Sequence, residues 1–435
     1  MYHKTLLASA LALFLAPSLQ AAGLLEVYQD AVKQDAELAV ERARLEVSRT
    51  QVKQANSYLL PQINASGTFS HIDASNMTDK VSNTNVTLSA QQALFNGEAW
   101  FGKSAAKAAF SAVEAGYLNA EQNLLLRVSE AYFNVLRAED NLRSSEAEEQ
   151  AIKRQLDQAQ EQYDVGLISI TNVLEARAAY DGARAARIGT EAALMISYED
   201  LEQITGERYE KIDTLNAKLP VVAPIPNNRQ AWVDQALTSS LALKAARAGL
   251  KASEEGLKSK RSKHLPTMAL FAEYSNDSDL PNQLKGSDGY DQTVFGITAN
   301  VEIYGGGLTS ASIREGSAAL EEARANEELA KRQVLQQTRS LFTQVSTDVL
   351  AVQARELAIQ SSESALEATR TGYEVGTRNI VDVLNAERAL WGARRDYDAA
   401  RYNYVINQLR LKRVAGSLEE KDLQALNRWL VHAKN

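Results

Sequence analysis

The segment Tyr373-Glu-Val-Gly-Thr-Arg-Asn-Ile-Val-Asp-Val-Leu-Asn385 decides the fold, because much of it occurs twice. The related segment Tyr163-Asp-Val-Gly-Leu-Ile-Ser-Ile-Thr-Asn-Val-Leu-Glu175 lies at an offset of 210 residues. In each segment a helical pattern stops at a glycine, Gly166 or Gly376, and glycine readily adopts the left-handed conformation of a helix C-terminus. Both segments therefore predict the turn at the tip of a helical hairpin.

A second helix is predicted to begin directly after each turn. Ser169 and Asn379 fall where an N-cap acceptor belongs. Asn172 and Asp382 then occupy the third helical position, where the helix dipole favours a carboxylate. The chain thus contains two related helix tips.

The rest of the chain repeats with a similar offset. Pro266 follows Pro61 by 205 residues, and Gly416 follows Gly206 by 210 residues. A period this long indicates the internal duplication of half a protein, and a proline cluster between the copies predicts a linker. The predicted boundaries are a first repeat at 23–216, a linker at 217–228, a second repeat at 229–416 and a C-terminal segment at 417–435.

The N-terminus and the composition predict an exported protein. Residues 1–22 carry a lysine, a short apolar run and small residues, the pattern of a cleaved secretory signal. No later stretch is long and apolar enough for a transmembrane helix. The 435 residues include no cysteine, and the formal net charge of -8 argues against nucleic acid as a partner.

Each repeat also contains two segments of alternating polarity, which predict strands. They lie at 63–71 and 84–95 in the first repeat, and at 267–275 and 292–304 in the second. Four strands cannot close a ring in lipid, so two or three chains would have to combine into eight or twelve strands. A soluble β-hairpin on a helical protein is the alternative interpretation.

Helices dominate the remaining sequence. Residues 24–58 favour helix, and residues 99–165 contain no strong breaker. A helix of that second length would extend about 100 Å, which no compact core accommodates. The predicted fold is mainly α with a small β part, in which long antiparallel hairpins continue from the strands as a hollow tube.

The sequence offers no pattern for catalysis or metal binding. None of the four histidines pairs at a metal-ligand spacing. The segment 305–307 is glycine-rich but lacks the lysine of a phosphate loop. We therefore predict neither an enzyme nor a cofactor.

Several motifs together resemble the TolC family of outer-membrane export ducts. They are the two Tyr-x-Val-Gly tips, the Asp-Val-Leu that begins at Asp382, and the C-terminal runs at 401–409 and 415–426. The resemblance implies a homotrimer with one shared twelve-stranded β-barrel in outer-membrane lipid, an α-helical barrel across the periplasm, and an equatorial band. It also implies docking on inner-membrane pumps through periplasmic adaptors, with drugs or, in type I secretion, whole proteins as cargo.

The resemblance further implies that the tips close the periplasmic entrance. Tyr373 and Arg378 match the gate-link residues of the second repeat, and Thr171 and Asn172 match their first-repeat partners. Where Asn172 stands, the family has an aspartate. Because a neutral acceptor forms a weaker hydrogen bond than a carboxylate, we expect a looser link there.

A constriction ring of aspartates is implied at the same end. Asp382 matches its first aspartate, whereas Asn385 replaces the second. Three carboxylates per trimer would still attract cations in a narrow aqueous passage. The alternative role of Asp382 is a helix-start carboxylate, stabilised by the dipole by about 0.3–1 kcal/mol.

The competing functional class is a soluble periplasmic coiled-coil adaptor, which would also carry a signal and long helical hairpins. The paired alternating strands disfavour it. Within the duct class, the sequence leaves the choice between drug efflux and protein secretion open.

Overall fold

The computed structural model describes residues 21–72, 81–278 and 290–431. Residues 1–20 of the predicted signal lie outside this range, as do the centres of the two strand connections. The order of two helices, two strands and two long helices occurs twice. The helices are α1 Leu24–Gln34, α2 Ala36–Ser57, α3 Gly97–Asp164, α4 Ile170–Thr205, α5 Arg229–Ser239, α6 Leu241–Arg261, α7 Leu308–Glu374, α8 Ile380–Val414 and α9 Glu420–Asn427. The strands are β1 Gln62–Ile72, β2 Val81–Phe95, β3 Thr214–Leu215, β4 Thr267–Ser278, β5 Tyr290–Asn300 and β6 Leu430–Val431.

The helix predicted over 24–58 is two helices, because the chain turns at Asp35. Asp35 is extended and its carboxylate accepts a 2.7 Å hydrogen bond from the Leu38 amide. The second repeat has the same interruption at Ser240, between α5 and α6. The offset between the two breaks is 205 residues, the same as that between Pro61 and Pro266.

Four strands form one antiparallel sheet in the order β1-β2-β4-β5, so that the two hairpins pair side by side through β2 and β4. Within the described residues, β1 and β5 each pair on one side only. The sheet therefore has two open edges. An open edge leaves backbone donors and acceptors without partners, which is costly in lipid.

The prediction that the fourth strand extends over 292–304 was wrong at its C-terminal end. β5 ends at Asn300, which is paired with Thr267 at the start of β4. The residue before Thr267 is Pro266, which has no N–H to donate to a continuing ladder. Val301, Ile303 and Tyr304 therefore lie beyond the sheet and are exposed.

The fold class predicted from the sequence, mainly α with a small sheet, is confirmed. α3 and α7 have 68 and 67 residues, which corresponds to about 100 Å each. Among the four long helices, α3 packs against α4 and α8, and α8 packs against α7. α4 and α7 therefore lie at the two ends of this layer, and we call them the outer helices. None of the described helices combines the length and the apolar character needed to cross a bilayer.

A band of short segments covers one face of α3 and α8 near mid-height. The largest core cluster lies there and joins α1, α3, α8 and α9. The buried Tyr132 hydroxyl lies 2.7 Å from the carbonyl oxygen of Asp213 and 3.2 Å from that of Ala22. β3 pairs with β6 in the same band. The N-terminal segment thus joins the segment after α4 and the C-terminal segment, and we refer to this region as the equatorial band.

Candidate functional site at the helix tips

The two tips share one backbone turn. Gly166 and Gly376 have φ angles of 79° and 78°. At the first tip the Leu167 amide donates to the Gln162 carbonyl over 2.8 Å, and the Thr377 amide donates to the Gly372 carbonyl over 2.8 Å at the second. Together with the glycine amide bonded to the preceding tyrosine carbonyl, this is a Schellman motif, which satisfies the last carbonyls of each helix.

The helix starts after the turns differ in strength. At the second tip, Asn379 Oδ1 accepts from the Asp382 amide over 2.9 Å, and Asp382 Oδ2 accepts from the Asn379 amide over 3.2 Å. This reciprocal pair forms a capping box. At the first tip, Ser169 Oγ accepts one 3.3 Å hydrogen bond from the Thr171 amide. The capping predicted at both tips is present, with two bonds at the second tip and one at the first.

Tyr373 connects the two hairpins. Its hydroxyl donates a 2.9 Å hydrogen bond to Gln162 Oε1, on the last turn of α3. The side chain is half-buried, and this burial raises the pKa of the hydroxyl. Gln162 was not among the predicted residues. It is the repeat equivalent of Gly372, so the only sequence signal for it was its position beside Tyr163.

The other predicted link residues are arranged differently within one chain. Thr171 Oγ1 donates to Ser169 Oγ in its own turn over 2.9 Å. The side chains of Asn172 and Arg378 make no hydrogen bond or ion pair within the described part of the chain, and Arg378 is exposed. Links from these residues to another chain stay a prediction.

Gly372 provides the space for Arg378. A Cβ at position 372 would lie 2.8 Å from Arg378 Cγ and 3.3 Å from Thr377 Oγ1. The Arg378 amide also donates to the Gly372 carbonyl over 3.1 Å. Because Gly372 has no side chain, the base of the Arg378 side chain can pack directly against it.

An ion pair between the half-exposed side chain of Arg370 and the buried Glu387 stabilises the second hairpin just behind its turn. Arg370 Nη2 donates to Glu387 Oε1, and Glu387 is only 1% exposed. This pair was not predicted, although an arginine and a glutamate that flank a predicted turn are a signal for an ion pair. Their repeat equivalents are Gln160 and Arg177, which are both exposed and form no ion pair with each other.

Asp382 and Asn385, the predicted ring residues, lie one turn apart near the start of α8. Asp382 is half-buried and Asn385 is exposed. Behind them, Ile380 and Leu384 are buried in an apolar cluster with residues of the first hairpin, including Val173 and Ala176. This packing fixes the polar face of α8 relative to the first hairpin. Across the residues that the structure describes, no group of three histidines and carboxylates could hold a metal.

Comparison with known proteins identifies the protein family. A family model described as Outer membrane efflux protein matches residues 27–207 and 232–417, and the chain belongs to this family. The resemblance stated from the tip motifs is thereby confirmed.

Individual relatives agree with the family. The chain is 33% identical to the outer membrane protein TolC of Vibrio cholerae over 97% of this chain and 96% of that protein. It is 28% identical to the alkaline protease secretion protein AprF of Pseudomonas aeruginosa over 78% of this chain and 70% of that protein. Among solved structures, the outer membrane protein VceC of Vibrio cholerae shares the fold, with a TM-score of 0.80 at 19% identity over 90% and 96% of the two chains. The alternative of a soluble adaptor is not favoured by these matches.

Proposed function

We propose that three copies of this chain form an export duct that begins in the outer membrane and extends through the periplasm. The observation that carries the proposal is the sheet with two open edges, which continues directly into helices of about 100 Å. Three copies would supply twelve strands and remove every edge. A duct of this shape has a transport role, and we propose no catalytic one.

The outer helices support the assembly of several chains. α4 and α7 carry large apolar side chains that are exposed in the single chain, and exposed apolar surface of this kind marks an interaction site. The exposed residues are Leu174, Ile188, Met195 and Ile196 on α4, and Leu329, Leu350 and Leu357 on α7. In a ring, α4 of one copy would pack against α7 of the next, which buries both surfaces.

The tips are proposed as the periplasmic gate. Tyr373 connects the two hairpins of one chain through Gln162. Arg378 is exposed and extends from the second tip, where it would reach Thr171 and Asn172 of the neighbouring copy. A neutral Asn172 makes that link weaker than one to a carboxylate.

Export through this duct would require an inner-membrane pump and a periplasmic adaptor at the tip end. The family description supports efflux of small molecules. Similarity to AprF, a protease secretion protein, supports type I protein secretion as a second role. A deletion strain tests both, because drug susceptibility reports efflux and the secretome reports protein export.

The ring formed by Asp382 is tested in planar bilayers with purified full-length protein. We expect channels that a trivalent cation blocks from the tip side, since three carboxylates would face a narrow passage. Asp382→Asn should abolish the block, whereas Asn385→Asp should strengthen it by doubling the number of carboxylates. Failure of the wild-type protein to form channels would contradict the duct. Block that survives in Asp382→Asn would leave the duct and exclude Asp382 from the ring.

A further inference from the structure

Three arginines lie along the contact between α3 and α8, at a height away from the tips. Arg137 donates to Asn403 over 2.8 Å, Arg410 donates to Glu130 over 2.7 Å, and Arg413 donates to Asn123 over 2.7 Å. We call these three pairs the arginine seam. It lies within one chain, and Arg137 is 27 residues before the end of α3, about 40 Å from the tip.

Positive charge is in excess along the arginine seam. Glu130 is its single carboxylate, and it is paired with Arg410. Arg137 and Arg413 bond only to amide oxygens among the described residues, although arginines in such surroundings normally pair with carboxylates. Their Nε atoms are enclosed by protein and have no partner there. The seam therefore leaves two guanidinium groups that are not bonded to a carboxylate of the described chain.

Burial makes the charged forms of Arg137 and Arg413 less favourable. Burial lowers the pKa of Arg137, an effect that Tyr402 opposes and that Arg410, more weakly, reinforces. Burial also lowers the pKa of Arg413, an effect that Glu130 opposes and that Arg410, more weakly, reinforces. Asp348 is buried nearby on α7, but its carboxylate accepts from the amides of Gln344 and Asn407 rather than from an arginine.

The arginine seam borders an open polar groove. The groove measures about 530 Å³ and is lined by α3, α7 and α8. Besides Arg137, Arg410 and Glu130, its polar lining consists of neutral side chains: Asn134, Ser340, Gln344, Asn403 and Asn407. Amide and hydroxyl groups rotate to offer donors to an anion. The groove thus combines Arg137, which has no carboxylate partner in the described chain, with the paired Arg410 and adaptable neutral donors, whereas Arg413 lies along the seam outside the groove.

The seam lies on the face opposite the equatorial band. That band covers α3 at Tyr132 and α8 at Tyr404, whose hydroxyl bonds to both backbone groups of Val222. By helical period, Arg137 and Arg413 lie roughly opposite those two tyrosines. In the proposed ring of helices the equatorial band must lie outside, because it would otherwise fill the passage. This placement rests on the proposed function.

We propose that the groove beside Arg137 and Arg410 is an anion-binding site facing the passage of the duct, for ligands that carry carboxylate, sulfate or phosphate groups. Arginine binds such groups through parallel N–H donors. In a trimer the site occurs three times at one height, and forms a positively charged belt about 40 Å beyond the cation-attracting ring at Asp382.

The test uses inorganic triphosphate in planar bilayers with the full-length protein. Triphosphate is added at the strand end, so that it reaches the seam without passing the tips. We expect it to reduce the wild-type conductance, and Arg137→Gln should raise the half-blocking concentration about tenfold or more. Arg137→Lys keeps the charge and should retain much of the block. Arg143→Gln is the matched control, because Arg143 lies on α3 three turns from Tyr132, on the outer face, paired with Asp140.

The outcomes separate the two proposals. Wild-type channels that triphosphate does not block, or an equal block of wild type and Arg137→Gln, would overturn the anion site and leave the duct. Failure of the wild-type protein to form channels would contradict the duct itself. Channel formation by Arg137→Gln and Arg137→Lys shows that these variants fold.

Discussion

The two helix tips share one turn but differ in the side chains that stabilise them. Both end α3 or α7 with a left-handed glycine and the same pair of backbone bonds. Of the two tips as the structure describes them, only the second adds a capping box and an ion pair, between Arg370 and the buried Glu387. Its tyrosine, Tyr373, bonds across to the other hairpin, whereas Tyr163 is 39% exposed and has no side-chain hydrogen bond in the described chain. The two repeats therefore share the backbone turn, whereas the capping box, the ion pair and the tyrosine hydrogen bond come from the second repeat.

The largest difference between the tips should come from the ion pair. Arg370→Met leaves the buried Glu387 carboxylate without its partner, and because the Arg370 side chain is half-exposed we expect a cost of about 1–3 kcal/mol. We expect the amides in the first turns of α8 to exchange with deuterated solvent about tenfold faster or more. Arg177→Met in the first tip is the control, because Arg177 is exposed and should change exchange very little. Equal exchange rates in the two variants would contradict a stabilising role of the ion pair at the second tip.

A smaller difference should separate the helix caps. Asn379→Ala removes the acceptor of the 2.9 Å bond from Asp382, at a cost of about 0.5–2 kcal/mol. Ser169→Ala removes a bond of 3.3 Å on an exposed turn and should cost less. Exchange rates of the first α8 and α4 amides compare the two directly. A larger effect at Ser169 would reverse the ranking of the tips.

The smallest effect is a difference between α8 and α4 in how stability depends on pH. Burial raises the pKa of Asp398 on α8 to about 6, with a further rise from Asp140 that Arg401, Arg143 and Arg394 oppose. Its repeat equivalent on α4 is Ile188, which cannot titrate. Because the folded state holds this proton more tightly than the unfolded chain does, the Asp398 contribution to stability falls as pH rises from about 4 to about 6.

The variant Asp398→Asn should remove that part of the pH dependence. Thermal unfolding between pH 4 and 7 measures this dependence. The control is Asp396→Asn, because Asp396 lies two residues before Asp398 and is paired with Arg355. An unchanged pH profile in Asp398→Asn would assign the dependence to other groups. Since Asp398 is only half-buried, solvent screening keeps the effect small.

Much of the fold followed from local sequence signals. The turns at Gly166 and Gly376, the caps at Ser169 and Asn379, and the long helices follow from backbone preferences and periodicity. The break at Asp35 was missed because helix propensity is strong on both sides of it, and tertiary packing decides there. The fourth strand was predicted too long because its length depends on its partner strand, which begins after Pro266.

Less of the candidate site could be predicted from the sequence. Tyr373 was predicted as a link residue, but its partner Gln162 lies 211 residues away in the chain, and no local pattern pairs residues at that distance. The Arg370 and Glu387 pair flanks a predicted turn and could have been found by extending the hairpin register backwards. The roles of Arg378, Thr171 and Asn172 depend on contacts between copies, so they stay predictions.

Single-channel conductance of the purified protein in a planar bilayer tests most directly whether the second tip holds the duct closed. We predict a small wild-type conductance that rises several-fold in Tyr373→Phe/Arg378→Ser, since the bond to Gln162 and the exposed cation are both lost. Tyr163→Phe, the matched change at the first tip, should leave the conductance unchanged. Equal conductance in the double variant and the wild type, or an equal rise in Tyr163→Phe, would contradict a closure that depends on the second tip.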